Sequence, residues 1–249
     1  MLVTKSRYLL FIPFLLAVPA AGKTTLPFPE DILQGERGKS VKEVVEDSTL
    51  HREMSGLRLW CDQPLFEYLL EHPDFAASLA RAAGLLKYTV ERRGEAEYWA
   101  NDHDGLTGSL TILQPETGRA LLYAEGTYKT GIIRIPGRLA IVMRFSEGRE
   151  DNVPYVDNTF SGYIRLDAAL LDPLARLFRP IVGRIMEKQV HWFFRKVNRL
   201  MARLYEDPEA LLQQLPPETW QREAEELRSL LAPAPHDLDH PLPDSNAAG

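Results

Sequence analysis

Residues 172–206 read DPLARLFRPIVGRIMEKQVHWFFRKVNRLMARLYE. Leu174, Leu177, Phe178, Ile181, Ile185, Phe193, Val197, Leu200 and Leu204 recur at helical steps, the apolar stripe of one long amphipathic helix. Asp172 is a natural N-cap, and Pro173 stands at the first helical position, where its missing N–H costs nothing. Pro180, two turns in, is expected to kink the helix or split off its first turns. From Arg176 to Arg203, eight cations (Arg176, Arg179, Arg184, Lys188, Arg195, Lys196, Arg199, Arg203) stand against the single acid Glu187. The segment thus carries +7 in a chain of formal charge −6, and the remainder carries −13. Such a face suits plain solvent, with basic stems lying on apolar surface. It also suits the headgroups of an anionic membrane.

Upstream of this helix the period changes from helical to two. Strands are expected at residues 85–92, 96–102, 105–113, 119–128, 138–145 and 159–166. Turn chemistry separates them at Arg93-Gly94-Glu95, Asp104-Gly105, Glu116-Thr117-Gly118, Pro136-Gly137 and Ser146-Glu147-Gly148. The spacing is that of an antiparallel meander. Alternation assigns Leu110, Ile112, Leu139, Ile141, Met143, Phe145, Phe160, Ile164 and Leu166 to the inward face. Arg138 and Arg144 fall on the other face, which suits solvent. Gly108, Gly126 and Gly162 are expected to mark bulges or sharp bends. Residues 55–62 alternate as a further strand, followed by two short helices at 64–70 and 75–83, broken at His72-Pro73 and ended at Gly84. A sheet followed by one long helix implies a sheet wrapped around that helix.

The ends differ from this middle. Residues 1–20 have Lys5 and Arg7 before an apolar run of signal-peptide length, then Val18-Pro19-Ala20 as a cleavage site. Export to the periplasm or medium is expected, with a retained N-terminal membrane anchor as the alternative. Residues 21–53 read as a polar arm, in which Ser40 and Glu43 form a capping-box pattern for a short helix. After residue 206, Pro208, Pro216 and Pro217 interrupt a helical extension over 207–231, and residues 232–249 are expected to be disordered. Mild acidity excludes a basic nucleic-acid-binding surface on the strands. The one cysteine, Cys61, has no internal disulfide partner and reads as a buried strand thiol.

The order of elements resembles the helix-grip arrangement of the START-like (SRPBCC) superfamily over residues 54–206. The opening LWCDQPLFEYLLEHPD (residues 59–74) is similar to that family's first strand, proline and first helix. Asp157-Asn158-Thr159 stands where the family opens its last strand, and residues 171–201 resemble its closing helix. The resemblance implies an α+β fold: a curved antiparallel sheet of six to seven strands around a long C-terminal helix, with two short helices after the first strand. It implies a hydrophobic cavity between sheet and helix for a lipid or similar small molecule. The expected lining is Leu110, Ile112, Leu139, Ile141, Met143, Phe145, Phe160, Ile164, Phe178, Ile181, Ile185 and Phe193. The same residues fit a filled core.

Catalytic motifs are lacking: there is no HExxH, G-x-S-x-G, P-loop or Rossmann glycine pattern. His236 and His240 have metal-pair spacing but no helical frame, and Asn101-Asp102-His103-Asp104-Gly105 reads as turn chemistry rather than a calcium loop. His191 reads as an ordinary helix histidine, and Glu91, Glu97 and Glu125 as strand acids that could supply a carboxylate to a cavity. No cofactor, metal or catalytic residue is expected. The leading expectation is a non-enzymatic lipid-binding protein. The alternatives are a cyclase- or aromatase-type enzyme and a protein-interaction domain with a filled core.

Overall fold

The computed structural model describes residues 35–116, 118–130, 133–166 and 173–231. Helix α1 (Gly35–Glu46) leads into strand β1 (Leu50–Leu59), then helices α2 (Gln63–Glu71) and α3 (Pro73–Ala82). Strands β2 (Thr89–Arg92), β3 (Glu97–Asn101), β4 (Leu106–Glu116), β5 (Arg119–Thr130), β6 (Ile133–Glu150) and β7 (Val153–Leu166) form the meander. Helices α4 (Pro173–Glu206), α5 (Pro208–Leu212) and α6 (Pro217–Leu231) close the fold.

The seven strands form one curved antiparallel sheet in the order β1-β7-β6-β5-β4-β3-β2. Consecutive strands of the meander are neighbours, and β7 returns to pair with β1. Helices α2 and α3 carry the chain from the β1 edge to the β2 edge. Pro64 and Pro73 start them at positions where a proline N–H is not needed. Gly84, with φ +63°, ends α3 as a left-handed cap, and Leu85 donates to the Ala80 carbonyl at 2.9 Å. This is the helix-grip architecture: a curved sheet, two short helices after the first strand, and a long C-terminal helix across the sheet.

Three local readings are corrected. Strand β6 runs straight through Pro136-Gly137 and Ser146-Glu147-Gly148, where turns were expected. Pro136 is paired with Thr127 of β5 but lies beyond the last β6–β7 pair, Gly137 with Leu166, so its missing N–H takes no bond from the β6–β7 ladder. Gly148 faces Tyr155, and a Cβ at Gly148 would fall 2.4 Å from that ring. The glycine serves cross-strand packing, not a turn. The reversal is made instead by Asp151 and Asn152, both with positive φ (50° and 65°), as a two-residue hairpin of this hand requires. Asp157-Asn158-Thr159 therefore lies inside β7 instead of opening it. Finally, the bulges occur in β1 between Met54 and Leu57, where Gly56 has φ +69°, and in β4 between Ile112 and Gln114. Gly108 and Gly126 are a cross-strand pair in a tight approach: a Cβ at Gly108 would lie 2.4 Å from the Glu125 carbonyl oxygen.

Part of the expected N-terminal arm is folded. Helix α1 lies on the convex face of the sheet and buries Val41, Val44 and Val45 against Leu121, Tyr123, Ala140, Val142 and Tyr163. Glu43 accepts from both Arg138 and Arg165, so the strand arginines pair with α1 instead of facing bulk water. Such exposed ion pairs contribute little, and the valines hold the helix. Residues 1–34 and 232–249, including the signal segment, His236 and His240, lie outside the described residues, as does Asp172.

Helix α4 is continuous across Pro180. It is anchored to the free edge of β1 by Asn198, whose side-chain oxygen accepts from the Trp60 amide at 2.9 Å and whose NH₂ donates to the Arg58 carbonyl at 2.9 Å. One turn-pair further on, Tyr205 donates to Asp62 at 2.9 Å and accepts from the Asp62 amide at 3.0 Å. Replacing Asn198 with Ala strands a donor and an acceptor that are both half-buried. Urea unfolding of N198A is expected to show a loss of about 1–3 kcal/mol with an unchanged slope. A loss under about 0.5 kcal/mol would mean that water replaces the side chain without cost.

Candidate functional site

The register of the sheet decides which side chains share the concave face. Leu110, Ala124, Leu139 and Ile164 stand in one cross-strand row. Ile112, Leu122, Ile141 and Gly162 form the next, and Ala120, Met143, Phe160 and Met54 the third. Phe145, Asn158 and Leu57 form the fourth. Leu166, opposite Gly137, keeps the same parity, so the nine strand residues expected to point inward share one face. Phe178, Ile181 and Ile185 fall on the part of α4 whose side chains lie outside the described residues.

Burial changes along this face. At the end covered by α2, Ile112, Ala120, Met143 and Phe145 are buried, and Phe66 meets Phe145 edge-on at 4.8 Å. In the middle, Leu110, Leu139, Ile141 and Ile164 are only half-buried. At the far end Leu106 and Tyr128, a cross-strand pair on the same face, are 50% and 43% exposed. Between the middle and the far end runs a row without side chains: Gly108, Gly126 and Gly137 are in register across β4, β5 and β6. The face thus deepens from an open apolar rim to a packed floor. A curved sheet crossed by a long helix is an arrangement that can enclose a hydrophobic cavity.

Helix α4 lies over β1 and β7 on this side. Phe194 is buried and meets Phe160 edge-on at 5.5 Å. Phe193, the expected lining residue, is 38% exposed and stacks on Tyr88 at 6.4 Å, at the rim. Adjacent helical residues point about 100° apart, so periodicity places the stripe only to within one residue. Docking through Asn198 and Tyr205 sets the rotation. At the β2 edge of the concave face Arg92, opposite Tyr98 in the Leu110 row, pairs with Asp74 at 3.2 Å. On β1 and β7 the concave face carries two polar side chains. Arg52 pairs with Glu187 of α4 at 3.5 Å. Asn158 is 1% exposed and donates from Nδ2 to the carbonyls of Leu57 and Val156, each at 3.2 Å. Sequence reasoning missed Asn158. Its signal was one polar residue on an otherwise apolar inward face.

The candidate acids lie elsewhere. Glu91, Glu97 and Glu125 pair in register with Trp99, Thr111 and Ser109, on the convex face. Glu97 engages Arg37, Glu91 engages Arg93, and Glu125 accepts from the Tyr123 hydroxyl at 3.4 Å. At the β3–β4 turn, Asn101 and Asp102 side chains accept from the amides of His103, Asp104 and Leu106 at 2.8 Å. These are Asx-turn bonds, so the oxygens serve the chain's own backbone. His191 is exposed on α4. Cys61 is a free buried thiol, and burial, with the nearby Asp62 carboxylate adding to it, pushes its pKa well above the usual thiol range.

No protein-family model matches this chain, and no curated protein matches it. Among solved structures, a conserved protein from Geobacillus kaustophilus is similar at 15% identity with a TM-score of 0.40, over 62% of this chain and 93% of that one. An uncharacterized protein from Rhizobium leguminosarum is similar at 15% identity with a TM-score of 0.37, over the same shares.

The two adjacent phenylalanines separate core from rim. Phe194→Ala is expected to cost about 3–5 kcal/mol in chemical unfolding, because it opens a hole beside Phe160. Phe193→Ala should cost under about 1 kcal/mol. The reverse order would show that α4 is rotated by one residue from the position described.

Proposed function

We propose that this protein binds one hydrophobic, lipid-like molecule between the concave face of the sheet and α4, and that it is a carrier or store rather than an enzyme. The observation that carries this reading is the burial of the central rows. Leu110, Leu139, Ile141 and Ile164 stand mid-sheet, where side chains normally pack fully, yet they stay half-buried beside a strip of three in-register glycines. A bound apolar chain would cover this surface, at about 25 cal/mol for each Å² removed from water. The START-like resemblance of residues 54–206 supports the same reading. The three strand acids on the opposite face weigh against the cyclase- or aromatase-type alternative.

The reading is tested by native mass spectrometry of the purified protein, organic extraction, and melting curves with a panel of long-chain alcohols, acids and sterols. A ligand that binds only the native state must raise the melting temperature, and 100-fold excess over Kd contributes about 2.7 kcal/mol. Ile141→Trp is expected to keep the fold and abolish the ligand-induced shift. An empty protein that no panel member stabilises would overturn the proposal and favour a filled-core interaction domain.

The outer face of α4 supports a second part of the proposal, peripheral contact with an anionic membrane during loading or release. Lys188, Arg195 and Arg199 are exposed and spaced to share one helical face, and Lys196 lies over the Trp192 ring at 5.6 Å. Basic residues with an aromatic at their level suit a headgroup layer. We take residues 1–20 as the export signal that brings the domain to such a surface, a point that N-terminal sequencing of the exported form checks. Sedimentation with phosphatidylserine vesicles should exceed that with phosphatidylcholine and fall with salt. Reversing Lys188, Arg195 and Arg199 to Glu should weaken it on the order of a hundredfold at low salt. Equal sedimentation with both lipids would remove the electrostatic contact.

A further inference from the structure

We infer that Asn158 is the polar anchor of this site, and that it selects a neutral ligand whose inner end carries a hydrogen-bond donor, a hydroxyl or a primary amide. The inference rests on the hydrophobic-ligand reading above and narrows it to a ligand class.

Asn158 stands in the buried part of the concave face, between Leu57 of β1 and Phe145 of β6. Its NH₂ has a structural task. The bulge at Gly56 shifts β1, and Nδ2 bridges the Leu57 carbonyl of the bulged strand and the Val156 carbonyl of β7. Those two bonds orient the planar amide, because the opposite flip would set a carbonyl oxygen against two others. The amide oxygen is thereby turned away from both carbonyls. It is buried and has no hydrogen-bond donor among the described residues.

Among the described residues the surroundings supply none. Row neighbours Leu57 and Phe145 are apolar, as is Val156. Above them α4 passes from Phe194, at the level of Phe160, to Asn198, at the level of Arg58. The intervening turn offers Val197, and both ends of the Asn198 amide are spent on β1. The bulge explains the donor half of Asn158; among the described residues nothing uses the acceptor half. A buried acceptor left unpaired is costly, so its retention fits a donor that arrives with the ligand.

The chemistry of that donor follows. A carboxylate or phosphate would face an acceptor with an acceptor, and would lose its hydration among apolar walls without a countercharge. The concave cations Arg52 and Arg92 are already paired with Glu187 and Asp74. A hydroxyl or amide N–H donates to Oδ1 and carries no charge, with its hydrocarbon running past Phe160 and Ile141 toward the rim.

The test compares 1-hexadecanol with its methyl ether and with palmitate at pH 8, by competitive displacement of a fluorescent fatty probe from the full chain. The alcohol and the ether share their hydrocarbon and differ in the donor. The alcohol is expected to bind about tenfold tighter or more than the ether, the usual scale for one buried hydrogen bond. Palmitate should be weaker than the alcohol. In Asn158→Leu the ratio of alcohol to ether should fall to about one while both still bind. Since that variant could lose the bulge contacts and fail to fold, the wild-type ratio alone is decisive. Equal affinity for alcohol and ether in the wild-type protein overturns the role of Asn158 and leaves the hydrophobic site standing. Binding of none of the three overturns the hydrophobic site as well.

Discussion

The free edge of β1 is the constraint on which the rest of the structure depends. β1 is the outermost strand, and an edge presents unpaired N–H and C=O groups to whatever is near. Asn198 closes two of them from the side of α4, and Tyr205 holds the Asp62 turn that follows. The helix is thereby fixed in height and rotation against the strand that completes the sheet. Its rotation decides that Phe194, and not Phe193, meets Phe160. Its height decides that Glu187 reaches Arg52 at one level and that Asn198 meets the Arg58 carbonyl at another.

From that anchoring follows the shape of the concave face. α2, α3, α5 and α6 crowd the end near Asp62: Trp220 packs on Phe75 at 5.4 Å, and Tyr68 donates to the Glu223 carbonyl at 2.9 Å. This end forms the main core, including Leu65, Leu79, Met201, Leu204 and Leu227. Among the described residues the other end is covered by fewer elements, and Gly108, Gly126 and Gly137 leave a strip of it without side chains. A fold packed densely at one end and loosely at the other is what a binding protein needs. The packed end supplies stability, and the loose end can admit a guest without unfolding anything.

The second face shows how a sheet becomes committed. β5 has a continuous apolar run, Ala120 to Tyr123, which alternation alone would not call for. Buried strands read as continuous runs because both faces are covered. Ala120 and Leu122 face the main core and Leu121 and Tyr123 face α1. The signal for α1 was therefore in β5 rather than in α1 itself, whose polar sequence offers only three valines to the sheet.

The sequence by itself determined the order of elements and the faces of the strands. Period-two alternation assigned Leu110, Ile112, Leu139, Ile141, Met143, Phe145, Phe160 and Ile164 to one face, because side-chain direction along a strand is a local property. The long basic helix was equally legible, since its stripe and its start are written within a few turns. What only the tertiary structure decided involves partners distant in the chain. The rotation of α4 depends on the β1 edge about 140 positions earlier. The strand role of Gly148 depends on Tyr155 across the hairpin, and the burial of α1 on strands that follow it by some 75 residues or more. The half-used amide of Asn158 depends on a bulge on the opposite side of the chain. Local sequence sets periodicity and direction; which carbonyl an amide meets, and which of two adjacent phenylalanines turns inward, are set by contacts that exist only once the sheet has closed.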